Sequence, residues 1–419
     1  PLSPQVRRAA EASGASLAPG ATLEALPVPL GVSGLNGFPL RRIERSFAER
    51  GIRVQAFRAG SVDAPSSVTL DPTPLQPGAG LGGALAYGDA SLFGFGTATA
   101  VCGDVVIGFG HPFFWGIGEI SLGMNEVDVI AIDNNAFWGT KIGVLGDVRG
   151  VLTQDRFAGV AGVFGVLPNL IPITSDVSSP DTGYSRHGES DVAWDQDFFV
   201  ADAAFYHAWA NLTFVAQQDG PGTLEFAYTI NGSREDGSPF TVSNRLMAYN
   251  DFGAAFEAYA MANAIYALAF NQFEDVAITG VDMTGEISED NLTAQITRVR
   301  VSSSLQRSLK ERGLVRARPG DLLTIEVTLD PFDGDTDVVA TVTFRVPRGA
   351  RGTQEIRIAG GRGRIDIGRD VRSLDDLIAA LEGGDHRNDL IVRGFGTSVT
   401  QVQDVIVDGR AGFTVQVVR

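Results

Sequence analysis

His111 is the residue of this chain most suited to proton-transfer chemistry. It stands in the string Gly108-Phe-Gly-His-Pro-Phe-Phe114, directly after the apolar run Asp104 to Gly108. The Val and Ile content of that run predicts a buried strand. Gly108 and Gly110 allow a sharp turn behind it, and Pro112 ends the ladder. An imidazole at the end of a rigid strand can face a cleft and exchange protons near neutral pH. The plainer role is a turn histidine bonded to backbone. Ser-His-Asp chemistry also needs an orienting carboxylate. Asp104, Asp128, Asp133 and Asp155 share this stretch. Asp155, in Gln-Asp-Arg, is the catalytic candidate, and pairing with Arg156 or fixing a turn is its structural reading.

Other candidates carry less. His187 and His207 are far apart in the chain and lack the short spacing of a metal site. Asp330, Asp333, Asp335 and Asp337 cluster in one turn, read as a plain acidic turn or a surface calcium site, without the EF-hand spacing. No cofactor is expected other than calcium at this turn. His386 is expected to be solvated in a polar loop. Cys102 is the only cysteine, which rules out a disulfide framework; its strand-like context predicts a buried thiol. Gly94-Phe-Gly96 lacks the third glycine and following helix of a nucleotide site.

The elements that must position these residues follow from composition and pattern. The chain has 419 residues, 44% of them apolar and 20% charged, with 51 Gly and 19 Pro. These values describe a folded, turn-rich protein of several domains, mainly β with a few helices. The net charge of -17 disfavours nucleic acid as a partner. No apolar run reaches the ~18–20 residues of a membrane span. The start at Pro1, without Met, reads as a processed or trimmed portion of a longer precursor.

Residues 1–80 read as a lead-in, with helices at Gln5 to Ala12 and Leu40 to Arg50, Gly51 as a stop, a strand at Ile52 to Phe57 and a linker over Asp63 to Gly83. Residues 81–283 read as a β module of short strands, a small barrel or sandwich. Within it Ser175 to Asp197 is expected to be a loop, and Phe198 to His207 and Leu212 to Ala216 strands. A helix capped by Asp251 follows, with Phe252, Phe256, Tyr259, Asn263, Tyr266 and Phe270 as its core stripe. Residues 284–365 alternate as an immunoglobulin-like β-sandwich. Residues 366–419 read as a separate α/β segment whose helix is capped by Ser373.

Taken in order, Gly96-Thr-Ala-Thr, Gly103-Asp, Gly108-Phe-Gly-His-Pro-Phe, Lys141-Ile-Gly and Gly150-Val-Leu-Thr-Gln-Asp-Arg-Phe-Ala-Gly-Val-Ala-Gly162 resemble the SpoIVB-type (stage IV sporulation protein B) serine peptidases over residues 82–176. The C-terminal half resembles the tail that accompanies this module in large bacterial cell-envelope proteins. The resemblance implies a trypsin-like double barrel in which His111 is the general base for a serine in a Ser-Gly-Ser-Pro context. That string does not occur here; the nearest is Asp236-Gly-Ser238-Pro239, and an aspartate cannot replace the alkoxide. Three accounts stay open: a serine on an upstream segment, a degenerate non-catalytic copy, or another serine such as Ser121, Ser238 or Ser243. The expectation is a secreted, periplasmic or cell-surface protein that lacks its own nucleophile. It would act as a scaffold for a protein partner or for the rest of its precursor. The competing expectation is a serine endopeptidase fragment acting on polypeptide.

Overall fold

The structure, a computed structural model, describes residues 27–35, 38–59, 69–114, 118–134, 139–194, 196–311, 313–334, 336–365, 367–368 and 370–418. The expected helix at Gln5 to Ala12, Asp335 and much of the expected linker lie outside these residues. The described chain is mainly β with a few helices. It forms two compact units. One holds residues 27–59, 69–85 and 91–168, and the other holds 86–90 and 169–418.

In the first unit β1 (Val28–Ser33) leads through helix α1 (Phe38–Glu49) to β2 (Val54–Arg58), which pairs parallel with β1. Ile43 and Phe47 of α1 are buried, and Gly51 ends the helix segment at φ +77, a backbone state that favours glycine. The remaining strands are β3 (Gly80–Gly88), β4 (Ser91–Cys102), β5 (Val105–Gly108), β6 (Gly118–Asn134), β7 (Gly139–Arg156) and β8 (Gly159–Phe164). Their ladder runs β3-β6-β7-β8-β5-β4, and β4 also pairs with β3, so six strands form a ring. Leu81, Phe93, Val106, Phe113, Phe114, Leu122, Met124 and Leu152 are buried in this unit.

Two expectations fail on the outside of this ring. β5 is buried on one side only: Val106 is covered, whereas Ile107 is 52% exposed. Cys102, paired with Val105 across the β4–β5 turn, is exposed rather than buried. Successive strand residues face opposite sides, and both residues point outward.

The second unit opens with β9 (Ile171–Ser178) and β10 (Ser185–Val192). The expected loop at Ser175 to Asp197 is therefore mostly hairpin, turning near Gly183 at φ +71. The two expected strands after it are one helix, α2 (Asp197–Ala216). Fifteen of its side chains are buried, so it has no polar face to reveal a helical period, and its alanines favour helix. β11 (Gly222–Arg234), β12 (Pro239–Asn250) and β13 (Val276–Ser288) complete a sheet ordered β12-β11-β13-β9-β10, with β13 and β9 parallel.

Before β13 a short 3-10 turn (Ala254–Ala258) leads into α3 (Tyr259–Ala269). Asp251 does not cap this helix. Asn250 instead accepts the Phe252 and Gly253 N–H groups. The expected aromatic stripe holds only in part: Phe256 and Tyr259 pack edge-on against the buried Phe205 of α2, but the buried face of the helix is aliphatic. Met261, Ala262, Ala264, Ile265 and Leu268 are buried, while Phe252 is 93% and Phe270 67% exposed.

The C-terminal part is a two-sheet sandwich. One sheet holds β14 (Thr293–Ser303), β15 (Gln306–Glu311), β17 (Leu322–Pro331) and β18 (Val338–Arg345), with β22 (Ile406–Asp408) on β14. The other runs β16 (Leu314–Ala317), β23 (Arg410–Val417), β19 (Gly352–Gly360), β20 (Asp389–Gly394) and β21 (Thr397–Val402). Val299, Ile325, Phe344, Ile358, Val392 and Phe413 share one core. The boundary expected at residue 365 falls inside it, because β19 needs β20 and β23 as hydrogen-bonded neighbours. Helix α4 (Leu374–Glu382) starts at the expected cap: Ser373 Oγ accepts the Asp376 N–H at 3.1 Å.

Candidate functional site

The sequence strings quoted around His111 meet in space in the first unit. β5 ends in a left-handed pair, Phe109 at φ +71 and Gly110 at φ +75. This conformation costs a non-glycine residue roughly 1–2 kcal/mol. Phe109 is held there by its N–H, which donates to the Thr97 carbonyl at 2.9 Å. Its ring sits where Gly96 has no side chain; a Cβ at Gly96 would lie 2.5 Å from it. The same ring lies 5.6 Å from that of Phe113 and 5.8 Å from that of His111. Lys141 Nζ donates to Thr97 Oγ1 and to the Gly96 carbonyl.

The other side of the turn is fixed by Asp155. Its side chain is fully buried on β7. Oδ1 accepts the Phe113 N–H at 2.7 Å and Oδ2 the Phe114 N–H at 2.6 Å. A buried carboxylate needs such donors, and charge-assisted bonds of this length are among the stronger ones. Both oxygens are thus engaged by the loop that follows His111.

His111 itself is exposed. Its Nδ1 lies 2.9 Å from the Pro112 carbonyl oxygen. A carbonyl only accepts, so Nδ1 carries the proton of the neutral ring and Nε2 is left with its lone pair. Among the described residues no serine hydroxyl and no carboxylate hydrogen-bonds the imidazole.

The remaining candidates stand elsewhere. Ser238 belongs to the second unit, in the β11–β12 turn, where its Oγ donates to Asp236 Oδ1 at 2.6 Å. That bond and the Ser238 N–H hold the Asp236 carboxyl below the usual carboxylate range. Ser243 Oγ lies 3.0 Å from Thr229 Oγ1, and Ser121 is half-buried on β6. Asp330, Asp333 and Asp337 are exposed, and Asp335 is not described. Among the described residues no group of three or more His, Cys, Asp or Glu side chains is arranged to hold a metal.

His187 is exposed between Asp176 and Glu189, with Nδ1 2.8 Å from the former and Nε2 3.4 Å from the latter. The Asp176 hydrogen bond leads in raising its pKa. His386 is not solvated as expected. It is half-buried, with Nε2 2.8 Å from Asn244 Oδ1 and Nδ1 3.3 Å from Asp389 Oδ2. Burial, then Arg245, lowers its pKa.

The sequence places His111 on its turn and points to Asp155, but the supporting roles of Gly96, Thr97 and Lys141 emerge only in the structure. The signal was present in Gly94-Phe-Gly-Thr97, where two glycines flank a strand residue and leave room for rings arriving from another strand. Compared with protein-family models, characterised proteins and solved structures, the chain matches none.

Proposed function

We propose that this chain is a SpoIVB-peptidase-like protein of the cell envelope or exterior. In this reading its first unit is a peptidase-type β-barrel that no longer carries a nucleophile, and its C-terminal sandwich is immunoglobulin-like. The protein then works as a scaffold that engages a polypeptide partner. The observation that carries the reading is the hydrogen bonding of His111. In a working triad Nδ1–H is given to a carboxylate and Nε2 faces a serine. Here Nδ1 is given to the Pro112 carbonyl, and both Asp155 oxygens hold the loop backbone. The missing Ser-Gly-Ser-Pro string supports the same reading.

A second reading rests on the other nitrogen. Nε2 is unprotonated in the neutral ring and solvent-accessible on a braced turn, which suits a general base. A serine supplied by a segment upstream of Pro1 would then make a serine endopeptidase. Turnover of a quenched-fluorescent peptide library separates the two. The scaffold reading expects the protein as isolated from its native source and the His111→Ala variant of that same form to give the same background rate. A rate at least 100-fold above that variant's would establish the peptidase.

A further inference from the structure

The second unit contains a histidine with two serine hydroxyls, in a place no substrate can enter. His207 on α2 and Asn211 one helical turn on are fully buried, and Ser175 on β9 and Ser190 on β10 are buried with them. Nδ1 lies 2.8 Å from Ser190 Oγ and Nε2 2.8 Å from Ser175 Oγ. Asn211 Nδ2 donates to the His207 carbonyl at 3.0 Å, which sets the amide's orientation, and the same nitrogen stands 3.3 Å from Nε2. Nε2 is therefore the acceptor, and Nδ1–H donates to Ser190 Oγ, which also takes the Ala90 N–H at 3.3 Å. Among the described residues no donor reaches the buried Asn211 Oδ1. Gly188 has no side chain where Asn211 lies: a Cβ there would come within 2.5 Å of its amide.

We infer that Ser175, Ser190, His207 and Asn211 form an acid-released lock, which holds α2 on the β9–β10 hairpin while the imidazole is neutral and loosens it when a solvent proton reaches Nε2. The neutral ring is matched atom for atom. A second proton would set N–H against the Asn211 N–H. The Ser175 hydroxyl can rotate to accept, but Asn211 can respond only by flipping, which breaks its bond to the His207 carbonyl. Burial opposes the charge as well and pushes the His207 pKa down to about 4.

The charged groups around the lock do not offset this. Asp89 favours the cation, while Arg186 and His187 oppose it, and Asp89 is ion-paired to Arg186. On β9 and β10, Asp176 and Glu189 flank His187 on the exposed side, and Asp191 has its pKa raised by burial. On β13, Asp282 and Glu286 are exposed. On α2 itself Asp202 accepts from Tyr266 Oη of α3, and Glu257 of the 3-10 turn accepts from Asn250.

The test is histidine-selective NMR of the full chain from pH 7.5 to 4, paired with urea unfolding at each pH. The lock expects the His207 ring to stay neutral with Nδ1–H down to about pH 5. It also expects the folding equilibrium constant to fall on the order of 100-fold between pH 6.5 and 4. His207→Gln, which cannot titrate, should flatten that dependence. Should it fail to fold, Ser175→Ala keeps the ring, removes one donor to Nε2, and should move the ring's titration to higher pH. A His207 ring that titrates near its unperturbed value overturns the inference. So does a variant whose profile superimposes on that of the parent.

Discussion

His111 and His207 divide between them what a hydrolytic site needs in one place. His111 is exposed, its Nε2 carries a lone pair, and its turn is braced, yet no described serine reaches it. His207 has a serine on each nitrogen at 2.8 Å, yet all three side chains are buried. Residue types at hydrogen-bond distance do not make an active site without access. The energetic roles differ too. Around His111 the protein spends strain and a buried carboxylate on presenting a ring to solvent. Around His207 it uses the ring to satisfy buried polar groups that would otherwise weaken helix–sheet packing.

The largest expected effect is on the His111 side. Asp155→Ala leaves two buried N–H groups without acceptors, at about 1–3 kcal/mol each. Urea unfolding should show a loss of about 4 kcal/mol, confined to the first unit if the units melt separately. A loss below about 1 kcal/mol would mean that the carboxylate does not hold the turn.

The next effect belongs to His207. Its folded pKa lies below the unfolded value, so stability is complete above about pH 6.5 and is lost as pH falls towards about 4. The difference corresponds to about 3 kcal/mol, readable as a falling urea midpoint over that interval. A midpoint unchanged there would remove the contrast between the two histidines.

Gly96→Ala should cost about 2 kcal/mol by pushing the Phe109 ring out of its seat, with a displaced His111 ring signal in NMR. An unshifted signal would show that Phe109 does not set the turn. Ser373→Ala, away from both histidines, should cost about 1 kcal/mol through the lost α4 cap and leave both ring signals in place.

How far the sequence reveals these two regions differs for a physical reason. The His111 turn is legible in part because backbone chemistry dictates it: Gly110 for the left-handed turn, a proline to end the ladder, Val and Ile in the strand before it; Gly108 instead stays in β5, and Phe109 takes the other left-handed position. Helices α1 and α4 are legible from an amphipathic stripe and a capping serine. The His207 region hides itself. The inward residues of β10 include Gly188 and Ser190, small and polar because Asn211 and His207 occupy the space above them. A strand whose core face is Gly and Ser shows no apolar alternation and reads as a loop. Helix α2, covered on nearly every side, has no stripe to show. The partnership of β20 and β23 with β19 is illegible for another reason: long-range pairing leaves no local mark.

The most direct test of the central claim is labelling with a fluorophosphonate serine probe, applied to this chain and to its form as isolated from the native source, each beside His111→Ala. The account predicts no adduct on this chain above the variant's background, with the protein shown to be folded by its circular dichroism. A stoichiometric adduct on a serine of this chain, abolished by His111→Ala, would contradict it and make His111 a working base.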